Sequence, residues 1–485
     1  MVKASKYNIA FRLRENTYIL YNTLYNSISK VDFELLEAML KGNLEDIPQD
    51  IKSKLYNFGF LVDDELEELN IIKTLRNFEI SKLYSAFRVG LTLTMTYACN
   101  LKCPYCYEGN LTQKADFLSK KDIDVILKFA LNHQKYFSVK RNPSIDVSFY
   151  GGEPLLNWKC CKYTLESLEA LKRKGEIEDY TAGFVTNGTL INMDVIDAIN
   201  DFNIVSMQIT LDGPKEVHDK RRITRTGKGT FDTIIHNIKL LLDNVTNKKF
   251  HMGIRINVDK TNVHAIPDLL DYLVSEGISE VSISFGIIRG DIQHSHSCNN
   301  TLLTGSELRD YLPKLWKEAY VRGFEVQTRP NYRTLYCMYD HPFSYVVDPK
   351  RKLYSCWELV GNEKYSIGEI TDDGHLKVKP YYYDVKAKDP TEFEECKKCP
   401  FLPICGGGCA AESIRRNGHP NGPGCDMNKY LWEEGLKFYL AKRYPHLFTS
   451  DELIDILGKV PEEVKDETKT FEFKVGVNKW RERES

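Results

Sequence analysis

The sequence predicts an α/β protein built around a partial (β/α)6 barrel of the TIM type, with a smaller module before it and a cysteine-rich domain after it. Six strand-like apolar stretches alternate with helical stretches between residues 88 and 290, which is typical of a parallel sheet with right-handed crossovers. Polar motifs follow four of these stretches directly, at the strand ends where barrels place their sites. The cysteines cluster at 99–106 and at 337–425.

Length and charge narrow the class of protein. A chain of 485 residues exceeds one ordinary domain, and a hydrophobic fraction of 42% allows sizeable cores. The net charge of −2 argues against a strongly basic nucleic-acid binder and against a polybasic membrane-surface protein. The first residues lack an apolar signal region, and we find no run of about 18 apolar residues. We therefore expect a cytoplasmic protein with neither nucleic acid nor membrane as a partner.

Residues 1–85 are predicted to form a small N-terminal module with a linker. Two alternating stretches, YNIAFRL and TYILYN, predict a hairpin. Helical spacing follows at residues 31–40 and in DIKSKLYNFG, and the stretch FLV reads as a short return strand. This combination predicts a winged-helix-like module, with a plain structural cap as the alternative.

Residues 86–330 are assigned to the barrel. The six predicted strands cover residues 88–96, 145–151, 181–188, 205–213, 251–259 and 280–288. The motif ACNLKC follows the first strand, GGEP the second, TNG the third and LDG the fourth. Because the carboxyl ends of parallel strands meet at one edge of a barrel, we expect these four motifs to lie together.

Residues 331–430 form the predicted cysteine-rich domain, and residues 431–485 a C-terminal helix with a charged tail. A segment rich in cysteine, proline and glycine has little apolar core and needs metal to hold it. Thirteen cysteines in a reducing compartment are poor candidates for disulfides, so their clustering indicates metal binding. We assign no function to Cys160 and Cys161, which look like small buried helix residues.

The first cysteine motif is Cys99-x3-Cys103-x2-Cys106, on the loop after the first strand. Three thiolates at this spacing can hold three irons of a [4Fe–4S] cube and leave the fourth iron open. Zinc is the weaker alternative, because a closed zinc site takes four ligands.

The run CNLKCPYCYEG, followed by YGGEP, TNGTLI and LDG, resembles the radical SAM superfamily over about residues 88–290. The resemblance implies that the open iron binds the amino and carboxylate groups of S-adenosylmethionine. It also implies that an electron from the reduced cluster cleaves the sulfonium bond, and that the resulting 5′-deoxyadenosyl radical takes a hydrogen atom from the substrate. A reductant such as flavodoxin or ferredoxin is the expected electron source.

Two glycines and two polar residues match the family's cofactor contacts. Gly151 and Gly152 allow the strand end to approach a ligand closely, and their carbonyls, with Glu153, are expected to accept hydrogen bonds from the methionine ammonium. Arg222 resembles the arginine that pairs with the methionine carboxylate. Its neighbour Arg221 is the alternative for that role.

Further contacts are expected from the next strand ends and from the cysteine loop. Asn187 and Gln208 are expected to point toward the ribose or the carboxylate. Tyr105 and Tyr107 are expected to shield the cluster and the adenine, with simple packing as the alternative. The resemblance assigns no catalytic base.

The second cysteine group resembles the SPASM extension of radical SAM peptide-modifying enzymes, which binds two auxiliary [4Fe–4S] clusters. The resemblance implies that one auxiliary cluster has four ligands, namely Cys396, Cys399, Cys405 and Cys425. The other would be bound by Cys356 and Cys409, with Cys337 as the third ligand. One or two structural zinc ions in the same loops are the alternative.

The ligand count leaves one position open. Three clusters, with the first bound by three thiolates, need eleven thiolates, and the motifs supply ten. Cys298 could complete the first auxiliary cluster, or a non-cysteine group or water could fill the place. The third possibility is an open iron that captures a cysteine of the substrate and orients it for carbon–sulfur bond formation.

Anaerobic sulfatase-maturing enzymes resemble this chain through both cysteine regions. They carry an aspartate, a proposed base, directly after the cysteine equivalent to Cys356, where this chain has Trp357. Asp348 and Glu358 are near in sequence but not at the motif position. Formylglycine formation is therefore put in doubt.

Together these features predict a radical SAM/SPASM peptide maturase that oxidatively crosslinks a ribosomal precursor peptide, with thioether formation from cysteine as the first expectation. The N-terminal module is similar in outline to recognition domains that bind a leader peptide by strand addition. The alternatives are a sulfatase maturase, carbon–carbon crosslinking of a peptide, and a zinc-stapled binding protein without catalysis.

Overall fold

The computed structural model describes residues 1–136, 142–290, 300–328, 332–333, 335–425 and 428–461. It divides into two compact units. Unit 1 comprises Met1–Ser81, Thr328–Tyr336 and Lys388–Ser485, and unit 2 comprises Lys82–Gln327 and Cys337–Ala387. The division into four domains stays a prediction. Within the described ranges, none of the helices has the length and apolar character needed to span a bilayer.

The N-terminal part of unit 1 contains the predicted hairpin, both predicted helices and the return strand. In chain order its elements are β1 (Val2–Ala4), β2 (Asn8–Arg14), β3 (Thr17–Asn22), β4 (Ser27–Asp32), α1 (Phe33–Lys41), α2 (Gln49–Asn57), β5 (Leu61–Asp63) and α3 (Glu68–Ala86), whose last turn belongs to unit 2. Strands β2, β3 and β4 form an antiparallel sheet, and β1 pairs with β5. Its identity as a winged-helix-like module stays a prediction.

Helix α1 shows how local sequence sets these bounds. The side chain of Asp32 accepts a hydrogen bond from the backbone N–H of Leu35, which caps the first turn. Gly42 ends the helix with φ +78°, a left-handed conformation that glycine adopts without strain. The bounds are therefore set by a polar cap at one end and a glycine at the other.

Unit 2 is a mixed α/β fold around a large, mostly parallel sheet. Its strands are β6 (Arg88–Thr94), β7 (Ser144–Tyr150), β8 (Tyr180–Thr186), β9 (Ile204–Thr210), β10 (His251–Val258) and β11 (Ser282–Ile287). The helices that follow them are α4 (Lys120–Tyr136), α5 (Trp158–Arg173), α6 (Met193–Asp201), α7 (Lys215–Arg221), α8 (Phe231–Asn244), α9 (Ile266–Ser275) and α10 (Gly305–Val321). The six strands pair in parallel and in sequence order, as predicted, which is consistent with a partial barrel.

The sheet continues beyond β6 with strands that the sequence analysis did not assign to it. Strand β12 (Ser344–Val347) pairs in parallel with β6, and β13 (Lys352–Tyr354), β14 (Gly368–Ile370) and β15 (Leu376–Val378) add antiparallel strands, followed by α11 (Tyr381–Lys386). The first part of the predicted cysteine-rich domain therefore extends the barrel sheet. Cys356 follows β13 on this extension.

The rest of the cysteine-rich segment belongs to unit 1. Its helices are α12 (Glu394–Lys397), α13 (Leu402–Cys405), α14 (Ala410–Asn417), α15 (Asn428–Arg443) and α16 (Ser450–Leu457). One apolar core joins α12 and α13 to the N-terminal module, because Tyr7, Leu24 and Ile72 pack in the same cluster as Cys396 and Leu402. The strand-like stretch FEFKV of the tail lies outside the described residues.

Candidate functional site

The cysteine loop follows β6 and is pinned on both sides. On one side the N–H of Met95 donates to the carbonyl of Tyr150, 2.9 Å away, at the end of β7. On the other side the N–H of Lys102 donates to the carbonyl of Ile223 at 2.9 Å, and the Arg225 guanidinium donates to the carbonyl of Cys99 at 2.6 Å. Segments that follow β7 and β9 thus hold the loop that carries the three predicted ligand thiols.

The two glycines after β7 allow this loop to approach closely. The N–H of Gly152 donates to the carbonyl of Thr96, and that of Glu153 to the carbonyl of Ala98, both at 3.0 Å. A methyl group on Gly152 would lie 2.3 Å from the Ala98 carbonyl oxygen, and one on Gly151, which has φ +124°, would lie 2.4 Å from that of Thr96. Glycine is therefore required at these two positions because the backbone after β7 packs directly against the cysteine loop.

Glu153 braces two neighbouring strand ends. Its carboxylate is completely buried and accepts hydrogen bonds from the Thr186 hydroxyl at 2.7 Å, the Asn187 N–H at 2.7 Å and the Leu155 N–H at 3.0 Å. Burial raises the pKa of this carboxyl, and the hydrogen bonds from Asn187 and Thr186 oppose the rise. The sequence analysis assigned Glu153 to the methionine ammonium, whereas these contacts link the ends of β7 and β8.

Asn187 and Gln208 differ in their contacts. The Asn187 amide donates to the Asn100 side-chain oxygen at 2.8 Å and lies 3.9 Å from the Cys99 sulfur. Gln208, on β9, pairs in register with Gly253 and Val185, and its side chain makes no hydrogen bond with the described residues. Asn187 is therefore a polar neighbour of a ligand thiol, and Gln208 is available to a bound group.

The two adjacent arginines occupy different electrostatic surroundings. The Arg221 guanidinium lies 2.9 Å from the Asp259 carboxylate and 3.6 Å from that of Asp212. The Arg222 guanidinium donates to the Tyr105 hydroxyl at 2.8 Å, and the buried Nε atoms of both arginines lack a hydrogen-bond partner among the described residues. Arg221 is thus already paired with acids, whereas Arg222, also buried, forms no ion pair within the described part of the chain.

The tyrosines of the loop are held by their hydroxyl groups. The Tyr105 hydroxyl donates to the buried carboxylate of Asp212, and the hydroxyls of Tyr107 and Tyr150 lie 2.5 Å apart. Burial raises the pKa of both loop phenols well above the usual value. The Tyr150 ring stacks on Trp357, with centroids 5.8 Å apart and planes 17° apart. Sequence reasoning missed Asp212 and Tyr150, whose only signal was their place at strand ends.

Cys337 and Cys356 lie in unit 2 beside a pair of tyrosines. The N–H of Tyr339 donates to the Cys337 sulfur at 3.5 Å, and the hydroxyls of Tyr339 and Tyr381 lie 3.1 Å apart. Burial raises the pKa of both phenols, and Cys356 adds to the rise of each. Cys356 therefore lies near both tyrosine hydroxyls, and Cys337 contacts the backbone of Tyr339.

Unit 1 brings together the four cysteines predicted to hold the other auxiliary cluster. Burial raises the pKa of the Cys396 thiol to about 12, and the nearby thiols of Cys405, Cys425 and Cys399 add to the rise. Cys409 is in unit 1, whereas the cysteines predicted to share its cluster are in unit 2, so that ligand set stays a prediction. Cys298, the candidate fourth ligand, lies outside the described residues.

Three successive glycines shape this second cysteine region. Gly406, Gly407 and Gly408 have φ values of +62°, +84° and +78°. A methyl group on Gly408 would lie 2.1 Å from the Gly424 carbonyl oxygen, and the N–H of Cys409 donates to that same oxygen at 3.0 Å. Glycine therefore lets the segment that precedes Cys425 approach the one that carries Cys409.

The donor set at the first loop fits an iron–sulfur cube. Burial raises the pKa of all three thiols, that of Cys99 to about 12, so a cationic cluster is needed to hold them as thiolates. In the described ranges, no three or more His, Cys, Asp or Glu side chains converge as a single-ion site would require. A cube differs in that each thiolate binds a different iron. The orphaned Nε of Arg222 fits a carboxylate beside that cube.

Comparison with known proteins supports the same assignment. The family model described as the radical SAM superfamily matches residues 93–273. The chain is similar to the radical SAM cyclopropyl synthase TigE of Paramaledivibacter caminithermalis, with 23% identity over 58% of this chain and 62% of that protein. The match thus spans less than two thirds of TigE. The chain is also similar to a cysteine-type anaerobic sulfatase-maturating enzyme of Clostridium novyi, with 24% identity over 72% of this chain and 93% of that enzyme.

Two solved structures share the fold. A tagged anSMEcpe with bound AdoMet aligns with a TM-score of 0.55 and 18% identity, covering 76% of this chain and 99% of that one. Streptococcus suis SuiB bound to the precursor peptide SuiA aligns with a TM-score of 0.50 and 16% identity, covering 88% of this chain and 99% of SuiB. At these identities the likeness establishes the fold.

Proposed function

We propose that this chain is a peptide maturase. The premise is that it is an enzyme and carries a radical SAM domain over residues 93–273. In this proposal it cleaves S-adenosylmethionine and oxidatively crosslinks a ribosomal precursor peptide, with thioether bonds from cysteine as the first expected product. The observation that carries the proposal is the pinned loop of three partly buried thiols beside a buried arginine that forms no ion pair with the described residues.

Each residue of the site has a role that follows from its contacts. Cys99, Cys103 and Cys106 would hold the iron of the cluster, and Arg222 would pair with the carboxylate of AdoMet. The bound cluster and AdoMet would supply one-electron cleavage of the sulfonium bond and abstraction of a hydrogen atom. Asn187 places an amide N–H 3.9 Å from the Cys99 sulfur, and a donor at a ligand sulfur is one of the groups that set a cluster's potential.

The remaining cysteines support two auxiliary clusters, three [4Fe–4S] clusters in all. Forming a crosslink removes two hydrogens from the peptide, and an auxiliary cluster would accept the electron that remains after the first abstraction. The auxiliary cluster bound by Cys337, Cys356 and Cys409 would take its fourth ligand from Cys298, a non-cysteine group or a cysteine of the substrate. A reductant such as flavodoxin or ferredoxin would supply the electron for each AdoMet cleavage, and such oxygen-sensitive thiolate chemistry suits the cytoplasm.

The N-terminal module is the proposed site for the leader of the precursor peptide. Strands β2 and β4 are the two outer strands of its three-stranded sheet, and an extended peptide can pair with such an edge by main-chain hydrogen bonds. The likeness to SuiB, whose structure contains its precursor peptide, supports a peptide substrate. The winged-helix-like interpretation belongs to this proposal.

The test has two stages under anoxia. Reduced protein mixed with AdoMet should release 5′-deoxyadenosine, and Cys103→Ala should abolish that release while leaving about eight of the twelve irons of three cubes. A neighbouring small cysteine-containing peptide, coexpressed with the enzyme, should then lose two daltons per crosslink in a mass spectrum. Undiminished AdoMet cleavage by Cys103→Ala would refute the proposal. Zinc in place of iron would favour the binding-protein alternative.

Formylglycine formation is the second candidate, and the similarity to the Clostridium novyi enzyme favours it. Two contacts argue against it. Trp357, at the position of the proposed base, stacks on Tyr150. The buried Asp348 already accepts hydrogen bonds from the Tyr97 hydroxyl at 2.7 Å and from the N–H of Lys352 at 2.8 Å. Conversion of a sulfatase-motif cysteine peptide to formylglycine would decide for this candidate.

A further inference from the structure

Two tyrosines of unit 1 have buried hydroxyl groups with no hydrogen-bond partner in the described part of the chain. They are Tyr7, which has no exposed surface, and Tyr332. A buried O–H without an acceptor is unfavourable, and most such groups in folded proteins are paired. An acceptor supplied by a bound group is therefore expected near both hydroxyls.

Tyr7 is fixed beside Cys399 by its backbone. The N–H of Thr23 donates to the Tyr7 carbonyl at 3.0 Å, and the Thr23 hydroxyl donates to the carbonyl of Pro400 at 2.5 Å. Pro400 directly follows Cys399 in sequence. On its other side the N–H of Tyr7 donates to Ser5, which itself donates to the buried carboxylate of Glu68. The tyrosine therefore has a defined position next to a predicted ligand.

Tyr332 reaches the same region from another segment. The N–H of Arg333 donates to the carbonyl of Pro403 at 2.8 Å, which docks this segment on α13, the helix that ends at Cys405. The Tyr332 ring packs on the core cluster that contains Tyr7 and Cys396. Burial raises the pKa of Tyr7, and Tyr332 and Cys399 are among the groups that add to the rise. Both phenols therefore lie around one set of cysteines.

We propose that Tyr7 and Tyr332 donate O–H···S hydrogen bonds to the auxiliary cluster held by Cys396, Cys399, Cys405 and Cys425. The inference rests on the proposed function in one respect, the presence of that cluster. Thiolate and sulfide sulfurs are the acceptors that the two hydroxyls lack within the protein. Such bonds favour the more negative, reduced form of the cluster and so raise its reduction potential.

The proposal gives the N-terminal module a second role. Tyr7 lies between β1 and β2, in the module proposed to bind the leader peptide. Its hydroxyl would tune one of the two auxiliary clusters proposed to take part in electron transfer. The module would then contribute to the redox chemistry as well as to recognition of the peptide.

The test is an anaerobic redox titration of the auxiliary clusters, followed by electron paramagnetic resonance, on the full-length protein. Losing one hydrogen bond to a charged group should shift the reduction equilibrium about fivefold, which corresponds to about 40 mV for a one-electron couple. Tyr7→Phe and Tyr332→Phe should each lower the potential of one auxiliary cluster by about this amount, and the double variant by about twice as much. Iron content should be unchanged.

Tyr21→Phe is the matched control. Tyr21 is a buried tyrosine of the same module, and its hydroxyl donates to the Asn26 side chain at 2.6 Å, so this variant should leave both auxiliary potentials unchanged.

Three outcomes separate the two proposals. Unchanged potentials in both single variants at full iron content would overturn the inference and leave the proposed function intact. An equal shift in Tyr21→Phe would overturn it as well, because general repacking would then explain the effect. Absence of AdoMet cleavage together with the predicted shifts would reject the proposed function and support the hydrogen bonds.

Discussion

Gly152→Ala tests whether the close approach of the end of β7 to the cysteine loop builds the proposed AdoMet site. A methyl group at this position would meet backbone carbonyl oxygens of Tyr97 and Ala98 at 2.3 Å. These atoms belong to the main chain between β6 and Cys99, so no side-chain rotation can relieve the overlap. The strand end and the loop must therefore move apart.

The size of that movement follows from the distances. Real Cβ contacts keep at least 3.0 Å, so the two segments must separate by about 0.7 Å. The hydrogen bonds from Gly152 to Thr96 and from Glu153 to Ala98, both 3.0 Å now, would lengthen to about 3.7 Å and be lost. A displacement near 1 Å in a reacting geometry costs about 100-fold in rate. We expect a loss of that order in AdoMet cleavage, with the three thiols still in place.

The assay is the rate of 5′-deoxyadenosine release from the reduced enzyme, measured beside the iron content of the same sample. Gly90→Ala is the matched control, because its methyl group would meet the rotatable hydroxyl of Ser344 at 2.8 Å, and we expect full activity. If Gly152→Ala cleaved AdoMet within twofold of the parent enzyme, the loop would tolerate the separation and the reasoning would fail.

Two further predictions concern buried cationic side chains, the adjacent arginines Arg221 and Arg222 and the lysine Lys386. Arg222→Gln should raise the AdoMet concentration needed for half-maximal cleavage about 10- to 100-fold. Arg221→Gln, which breaks a buried ion pair, should instead lower the free energy of unfolding by about 3 kcal/mol. AdoMet kinetics and urea unfolding that showed the opposite assignment would contradict this prediction. Burial lowers the pKa of Lys386 to about 8 in the folded protein, whereas a lysine of the unfolded chain has a pKa of about 10.4. Between these pH values the unfolded chain binds one proton more than the folded protein. The free energy of unfolding should therefore increase as the pH rises from about 8 to 10.4, by up to about 3 kcal/mol. Lys386→Met should lack this increase when urea unfolding is measured at pH 7, 8.5 and 10. If the free energies of unfolding of the variant and the parent protein changed in parallel with pH, the prediction would be contradicted.

The barrel was predictable because its strands carry a local signal. Alternation of apolar residues, interrupted by helical spacing, predicted each of the six parallel strands to within a few residues. Strands β12 to β15 escaped prediction as parts of the same sheet. They are three or four residues long, too short for a period to be read, and their partners lie far away in sequence.

The polar residues of the candidate site were predictable by type, but their contacts within the protein were not. The sequence analysis expected Glu153 to contact the methionine ammonium, and its carboxylate also accepts hydrogen bonds from Thr186, Asn187 and Leu155. Those contacts depend on how β8 lies beside β7, which no pattern in the GGEP motif reveals. Sequence can therefore place a polar group at the site before it can say which protein groups that residue contacts.

The pair Arg221 and Arg222 shows which physical property decides such cases. Adjacent identical residues cannot be separated by motif, but α7 ends at Arg221, and Arg222 leaves the helix with φ −124° and ψ 71°. The helical residue forms ion pairs with Asp259 and Asp212, and the next one turns to Tyr105 and forms no ion pair within the described residues. A buried polar atom left without a partner costs free energy unless a bound group supplies one. The missing ion pair favours Arg222 over Arg221 for the proposed AdoMet carboxylate, and the unpaired hydroxyls favour Tyr7 and Tyr332 for the proposed auxiliary cluster. The contacts of buried polar groups therefore suggest cofactor contacts that residue type alone does not.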